Sequence, residues 1–163
     1  MPYHQATYVK EILEEAKRSG AFIRNFFKKI KTYKGREIKS MFHRYHEEVF
    51  ETLDCLDCGN CCKTISPRLI PQDIERLAKS LKMKIGRFIE TYLEKDEEED
   101  YVFHETPCPF LGADNYCSVY ESRPKACREY PHTDSNRIDK LLDLTKKNAS
   151  VCPAVFLIIK NSG

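Results

Sequence analysis

No apolar run in this chain of 163 residues is long enough to cross a bilayer. The longest, Val151 to Ile159, is less than half of the roughly 20 residues that a spanning helix requires. Glycine is sparse: its six positions, Gly20, Gly35, Gly59, Gly86, Gly112 and Gly163, are too scattered for a GxGxxG loop, which disfavours a conventional dinucleotide or methyl-donor fold. There is no HExxH pattern, no CxxxCxxC radical motif and no readable Ser-His-Asp arrangement. Charge of one sign is missing too. The 27 basic and 25 acidic residues leave +2, a field too weak to imply nucleic acid, which is disfavoured as a partner. The start, Met1-Pro2-Tyr3-His4-Gln5, has no basic segment followed by an apolar stretch, so no secretory leader is expected. The expectation is a cytoplasmic protein with no membrane association.

What the chain does have is cysteine, eight in all. Cytosolic reductants keep thiols reduced, so structural disulfides are not expected and metal binding or redox chemistry must explain them. Free cysteines are often plain buried side chains. Burial alone does not place four of the eight, Cys55, Cys58, Cys61 and Cys62, within eight residues. The length suits one domain, and a charged fraction of 32% leaves a modest core, so metal is expected to supply part of the stability.

Apolar spacing predicts a mainly α fold. Val9, Ile12, Leu13 and Ala16 repeat at helical intervals, as do Phe22, Ile23, Phe26, Phe27 and Ile30 after Gly20, which fits one long helix or two short ones. Ile38, Met41, Phe42, Tyr45, Val49 and Phe50 mark a further amphipathic helix. The basic residues Lys28, Lys29, Lys31, Lys34, Arg36 and Lys39 around Tyr33 read as a solvated helix face and turn. His43 and His46 share a helix face, yet surface histidines are the better reading.

Pro71 opens a helix with the stripe Ile70, Ile74, Leu77 and Leu81, and Ile85, Phe88, Ile89, Tyr92 and Leu93 predict another. The acidic run Asp96 to Asp100 reads as a solvated loop. Tyr101 to Phe103 and Tyr116 to Tyr120 are strand candidates for a small hairpin, separated by Thr106-Pro107-Cys108-Pro109. Arg123-Pro124 opens a helix, Asn136 to Lys147 continues helically, and Pro153 starts a final apolar helix. The expected organisation is a helical extension over 1–53 and a cysteine-rich metal-binding domain over 54–163, forming one compact unit with a small irregular or β region.

Cys55-Leu56-Asp57-Cys58-Gly59-Asn60-Cys61-Cys62 repeats a two-residue spacing twice, which lets successive sulfurs wrap one centre and slightly favours iron–sulfur over zinc. Gly59 permits the positive φ that a tight loop needs. Neighbouring side chains tend to diverge, so one of Cys61 and Cys62 is a candidate for a second centre. Cys108, Cys117, Cys127 and Cys152 each stand beside a proline, a turn or a helix start. Cys127 follows Pro124 in a first helical turn, where the dipole, helped by Arg123 and Arg128, is expected to lower its pKa. Tyr120, Arg123, Glu129, Tyr130 and His132 surround this last motif and are expected to support the thiolates rather than to form a reactive pocket.

The segments CLDCGNCC and CPFLGADNYCSVYESRPKACREYP, with Cys152-Pro153, resemble the CxxCxxCC family of zinc- or iron-chelating domains typified by the YkgJ-like proteins. The resemblance spans Cys55 to Pro153, about three fifths of the chain. It implies that Cys55, Cys58, Cys61, Cys62, Cys108, Cys117 and Cys127 belong to the chelating set, joined by Cys152. It implies no settled reaction. Three roles follow as expectations: a metal-binding protein holding iron–sulfur centres or zinc, related to redox or electron transfer with a protein partner; a structural zinc domain used for protein interaction; and a metal-dependent enzyme related to the flagellin lysine methylases, which carry a similar cysteine-rich region.

Overall fold

Helical apolar spacing organises the start of the chain as three helices rather than two: α1 (Pro2–Arg18), α2 (Gly20–Ile30) and α3 (Gly35–Phe50). Ser19 separates the first two, so the periodicity that fitted one helix or two belongs to two. The computed structural model describes residues 2–163, with side chains from Ala6 onward. The side chains of the first five residues, on which the expectation of a missing leader rests, lie outside the described residues. Two short helices follow, α4 (Cys55–Cys58) and α5 (Asn60–Thr64), then strand β1 (Arg68–Leu69) and helices α6 (Pro71–Ser80) and α7 (Ile85–Tyr92). Strands β2 (Leu93–Lys95) and β3 (Tyr101–Phe103) precede α8 (Lys125–Glu129), α9 (Leu142–Asn148) and α10 (Pro153–Ser162). The chain is 60% helical with one three-stranded sheet, as the mainly α expectation required. Among the described residues no helix is long and apolar enough to cross a membrane.

The chain divides into two compact units, one built from residues 1–58 with 131–163 and the other from 59–130. In the first, α10 is the apolar centre: Ala154, Val155, Phe156, Ile158 and Ile159 are all buried, and α1 and α3 pack against it. Pro153 occupies its first turn, where a missing N–H costs nothing. Phe27 and Phe42 are also fully buried. Each such side chain contributes about 1.5–3 kcal/mol when taken from water, so this unit stands on ordinary hydrophobic burial. His43 and His46 are half-buried rather than freely exposed. The His43 Nε2 donates to the Ser135 carbonyl at 3.0 Å, and His46 Nδ1 bonds the hydroxyl of the fully buried Thr133 at 2.8 Å, tying α3 to the 133–135 turn.

The 59–130 unit has a core of Leu69, Ile74, Leu77, Ala78, Phe88, Leu93, Phe103, Phe110 and Val119, against which Cys108 and Cys117 pack. Phe110 stacks on Phe88 at 6.5 Å and meets Phe103 edge-on at 5.6 Å. Its antiparallel sheet runs β1-β3-β2, with Leu93 opposite Phe103 and Leu69 opposite Tyr101. The hairpin is therefore β2–β3, closed by the acidic turn, and its partner strand is not Tyr116 to Tyr120. That segment makes a single bridge, Cys117 to Leu111, before a 3-10 turn at Tyr120–Ser122. Leu93 is likewise extended instead of helical, because β3 offers it a ladder partner. The acidic run is the expected loop: Asp96 accepts bonds from the amides of Glu98 and Asp100 in its own turn. In the helical unit, the helix expected over 136–147 is a 3-10 turn at Ile138–Lys140 followed by α9.

Candidate metal centre

The boundary between the two units falls inside the CLDCGNCC string, between Cys58 and Gly59. Cys55 and Cys58 thus belong to α4 of the helical unit. Asp54 starts that helix by accepting the Leu56 amide on its carboxylate at 2.9 Å. In the same unit Cys152 precedes α10, and its thiol is buried and bonded by the amides of Val155 and Ala154. Burial pushes the Cys152 thiol up to about 12, and Cys55 and Cys58 push the same way, so the three sulfurs lie within electrostatic reach of one another.

The remaining five cysteines lie in the 59–130 unit. Gly59 begins α5 with φ of 58°, and an added Cβ would stand 3.1 Å from that of Asn115, so both its backbone angle and its surroundings call for glycine. That turn delivers Cys61 and Cys62. Their side chains do not diverge: Cys61 hydrogen-bonds the Cys62 sulfur. The Cys62 carbonyl accepts the Cys108 amide at 2.8 Å, which joins the string to the Cys108-Pro109-Phe110-Leu111 turn. In that turn the amides of Phe110 and Leu111 point at the Cys108 sulfur, and the Val119 amide points at that of Cys117. Amides directed at sulfur stabilise thiolates and tune any metal they hold.

The five thiols are electrostatically unequal. The hydrogen bond from Cys61 brings Cys62 down to about 7 against the opposing effect of burial, with Arg123 and Lys63 assisting. Burial carries Cys108 up to about 11 and also raises Cys117. Cys127 goes to about 12, because burial and the charges of Cys62, Cys108 and Cys117 all oppose its ionisation. The lowered Cys127 pKa expected from the helix dipole is thus reversed. α8 is a single short turn whose dipole is small beside burial and three neighbouring thiols. Arg123 is the cation acting on Cys62, Cys117 and Cys127. Its guanidinium lies 3.6 Å above the Tyr120 ring, and its Nε donates to the Tyr120 carbonyl at 2.8 Å.

Asp73 and Arg76 escaped the sequence reading, where they are only polar positions between apolar stripe residues. Arg76 Nη2 donates to Asp73 at 2.7 Å and to the Arg123 carbonyl at 2.7 Å, and the Lys125 amide donates to Asp73 at 3.0 Å. Asp73 and Arg76 are three positions apart on one helix, but no local pattern signals their bonds to Arg123 and Lys125, which stand about fifty positions away.

Among the described residues no three His, Cys, Asp or Glu side chains are closed into a ready ion-binding geometry. The donor chemistry nonetheless fits a soft or borderline metal, which selects thiolates over oxygen ligands. Thiols grouped so closely that each opposes the ionisation of the next are relieved by a cation. No curated protein and no solved structure matches the chain. A family profile does match over residues 54–153, more than half of the sequence, and by that match the chain belongs to the CxxCxxCC family, the putative zinc- or iron-chelating domain.

Proposed function

We propose that this protein holds zinc or iron through its cysteine thiolates, with Cys61, Cys62, Cys108, Cys117 and Cys127 forming one donor group and Cys55, Cys58 and Cys152 a second. The observation that carries the reading is the mutual loading of the thiols. Cys127 feels Cys62, Cys108 and Cys117, and Cys152 feels Cys55 and Cys58, which cysteines buried one at a time do not do. Metal binding then requires the thiols to lose protons, and the raised values of Cys108 and Cys127 make that loss the step a bound cation drives. Arg123 and the amides of Phe110, Leu111 and Val119 hold the thiolate form once the protons have gone.

Iron–sulfur is favoured over zinc by the Arg123 cation and the Val119 amide directed at the five-thiol group, the kind of surroundings that set a cluster's potential, and when bound it would supply one-electron chemistry in a reducing cytoplasm. Anaerobic purification with metal analysis and a visible spectrum tests this. The expected result is brown protein, iron with acid-labile sulfide, and absorbance that bleaches reversibly on reduction. A colourless protein with stoichiometric zinc overturns the iron–sulfur reading and leaves the chelating one. Protein that binds neither metal overturns both. The Cys108–Leu111 turn, with two amides aimed at one sulfur, equally suits a structural zinc site, and this supports zinc as the second reading.

A further inference from the structure

Asp73 is 1% exposed, a burial that a carboxylate tolerates only when fully bonded. One oxygen, Oδ2, does the ordinary work of a first-turn acid and accepts the Ile70 amide at 3.1 Å at the start of α6. The other, Oδ1, is spent elsewhere. It accepts the Lys125 amide at 3.0 Å and Arg76 Nη2 at 2.7 Å, and the same Arg76 nitrogen donates to the Arg123 carbonyl at 2.7 Å. One carboxylate therefore fixes the short segment 123–125 at both ends, at Lys125 directly and at Arg123 through Arg76.

That segment carries the positive charge of the thiol group. Arg123 is held over Tyr120 by stacking and by its Nε bond, and among the described residues it pairs with no carboxylate. The Tyr120 beneath it donates its amide to the Cys117 carbonyl at 3.3 Å, and the Cys127 amide donates to the Pro124 carbonyl at 3.0 Å, so the segment that holds the guanidinium also anchors Cys117 and Cys127, whose thiolates its charge favours. Four thiolates around a divalent ion leave net negative charge, and a fixed guanidinium close by offsets it without competing for the sulfurs.

We propose that Asp73 is a positioning residue of the metal centre, acting through Arg76 to hold Arg123 where its charge stabilises metal-bound thiolates. This rests on the chelating reading above. Cobalt(II) is the probe, because its thiolate-to-metal absorption reports sulfur ligation directly. Wild type, Asp73→Asn, Arg123→Gln and the double variant are loaded anaerobically, and cobalt transfer to a competing chelator is timed alongside thermal unfolding.

Each single substitution is expected to speed release about tenfold to a hundredfold, the usual cost of removing a partner that supports metal ligands. The double variant is expected to release no faster than the faster single one, because both lie on one line of action. Arg76→Gln, at a half-exposed side chain, repeats the test if Asp73→Asn does not fold, with the same expectation. Independent, multiplying effects in the double variant overturn the positioning role. So does a lowered unfolding temperature with unchanged cobalt release, which is the signature of a merely structural carboxylate. Wild-type protein that takes up no cobalt overturns the chelating reading and this inference with it, and so is told apart from a failure of the inference alone.

Discussion

The helical unit and the 59–130 unit reach order by different means. Around α10 the first buries an apolar helix on nearly every side, and its own cysteines are peripheral to that core apart from Cys152. The 59–130 unit has a smaller core around Phe88 and Phe110, and its five cysteines are half-buried, packed on that core or on each other. Hydrophobic burial needs no ligand, whereas a thiol group under mutual repulsion gains from one. The contrast teaches that metal and fold should be coupled throughout the 59–130 unit, whereas in the helical unit the coupling should stay local to Cys55, Cys58 and Cys152.

Stripping the metal anaerobically breaks this comparison most sharply. Amide hydrogen exchange should rise by orders of magnitude over 59–130 while α1, α3 and α10 keep their protection; equal loss in both units would erase the distinction. Next comes Phe156→Ala in the fully buried face of α10, expected to cost about 3–5 kcal/mol in chemical denaturation. Metal content per folded molecule should be unchanged, and a parallel loss of metal would tie the core to the thiols.

A smaller effect separates cysteines within the 59–130 unit. In metal-free, reduced protein, alkylation followed by peptide mass analysis should label Cys62 several-fold faster than an ordinary thiol at neutral pH, since its pKa near 7 leaves about half of it as thiolate. The rate should climb as pH rises through about 7, while Cys127, near 12, stays unlabelled. Labelling in the reverse order would contradict the hydrogen bond from Cys61.

The smallest effect belongs to the helical unit. Burial lowers the His46 pKa below the ordinary 6.5, against the pull of Asp134 and with a small push from His43. The fold therefore favours neutral His46. Its contribution is complete above pH 6.5 and is lost as pH falls through the lowered folded value, because the unfolded chain binds the proton more readily. Urea denaturation at a series of pH values should show stability falling on the acid side of 6.5, and His46→Gln should flatten that slope.

Much of this was legible in the chain itself. The stripes from Ile23 to Ile30, from Ile38 to Val49 and from Ile74 to Leu77 became the buried faces of α2, α3 and α6, since an apolar helix face has one way to leave water. The Gly59 turn was also foreseeable, because few other residues accept its backbone angle. Leu93 was misread because a strand partner ten residues on overrides a local helical pattern. Cys127 was misjudged because a helix dipole is visible in sequence whereas burial beside Cys62, Cys108 and Cys117 is not. The thiols themselves were plain; their sorting by unit depended on packing, as did the role of Asp73.

The unit boundary at Cys58 and Gly59 bears on how the protein can be cut. A fragment beginning at residue 54 would match the family segment and keep every cysteine, yet it would strip α1 and α3 from α10. Val155, Phe156, Ile158 and Ile159 would then face solvent as a contiguous greasy strip. Such a fragment should express as inclusion bodies, and its failure to take up metal would report on solubility rather than on the thiols. The cysteine-rich segment is the recognisable part of this chain, but it is not the part that can be prepared alone.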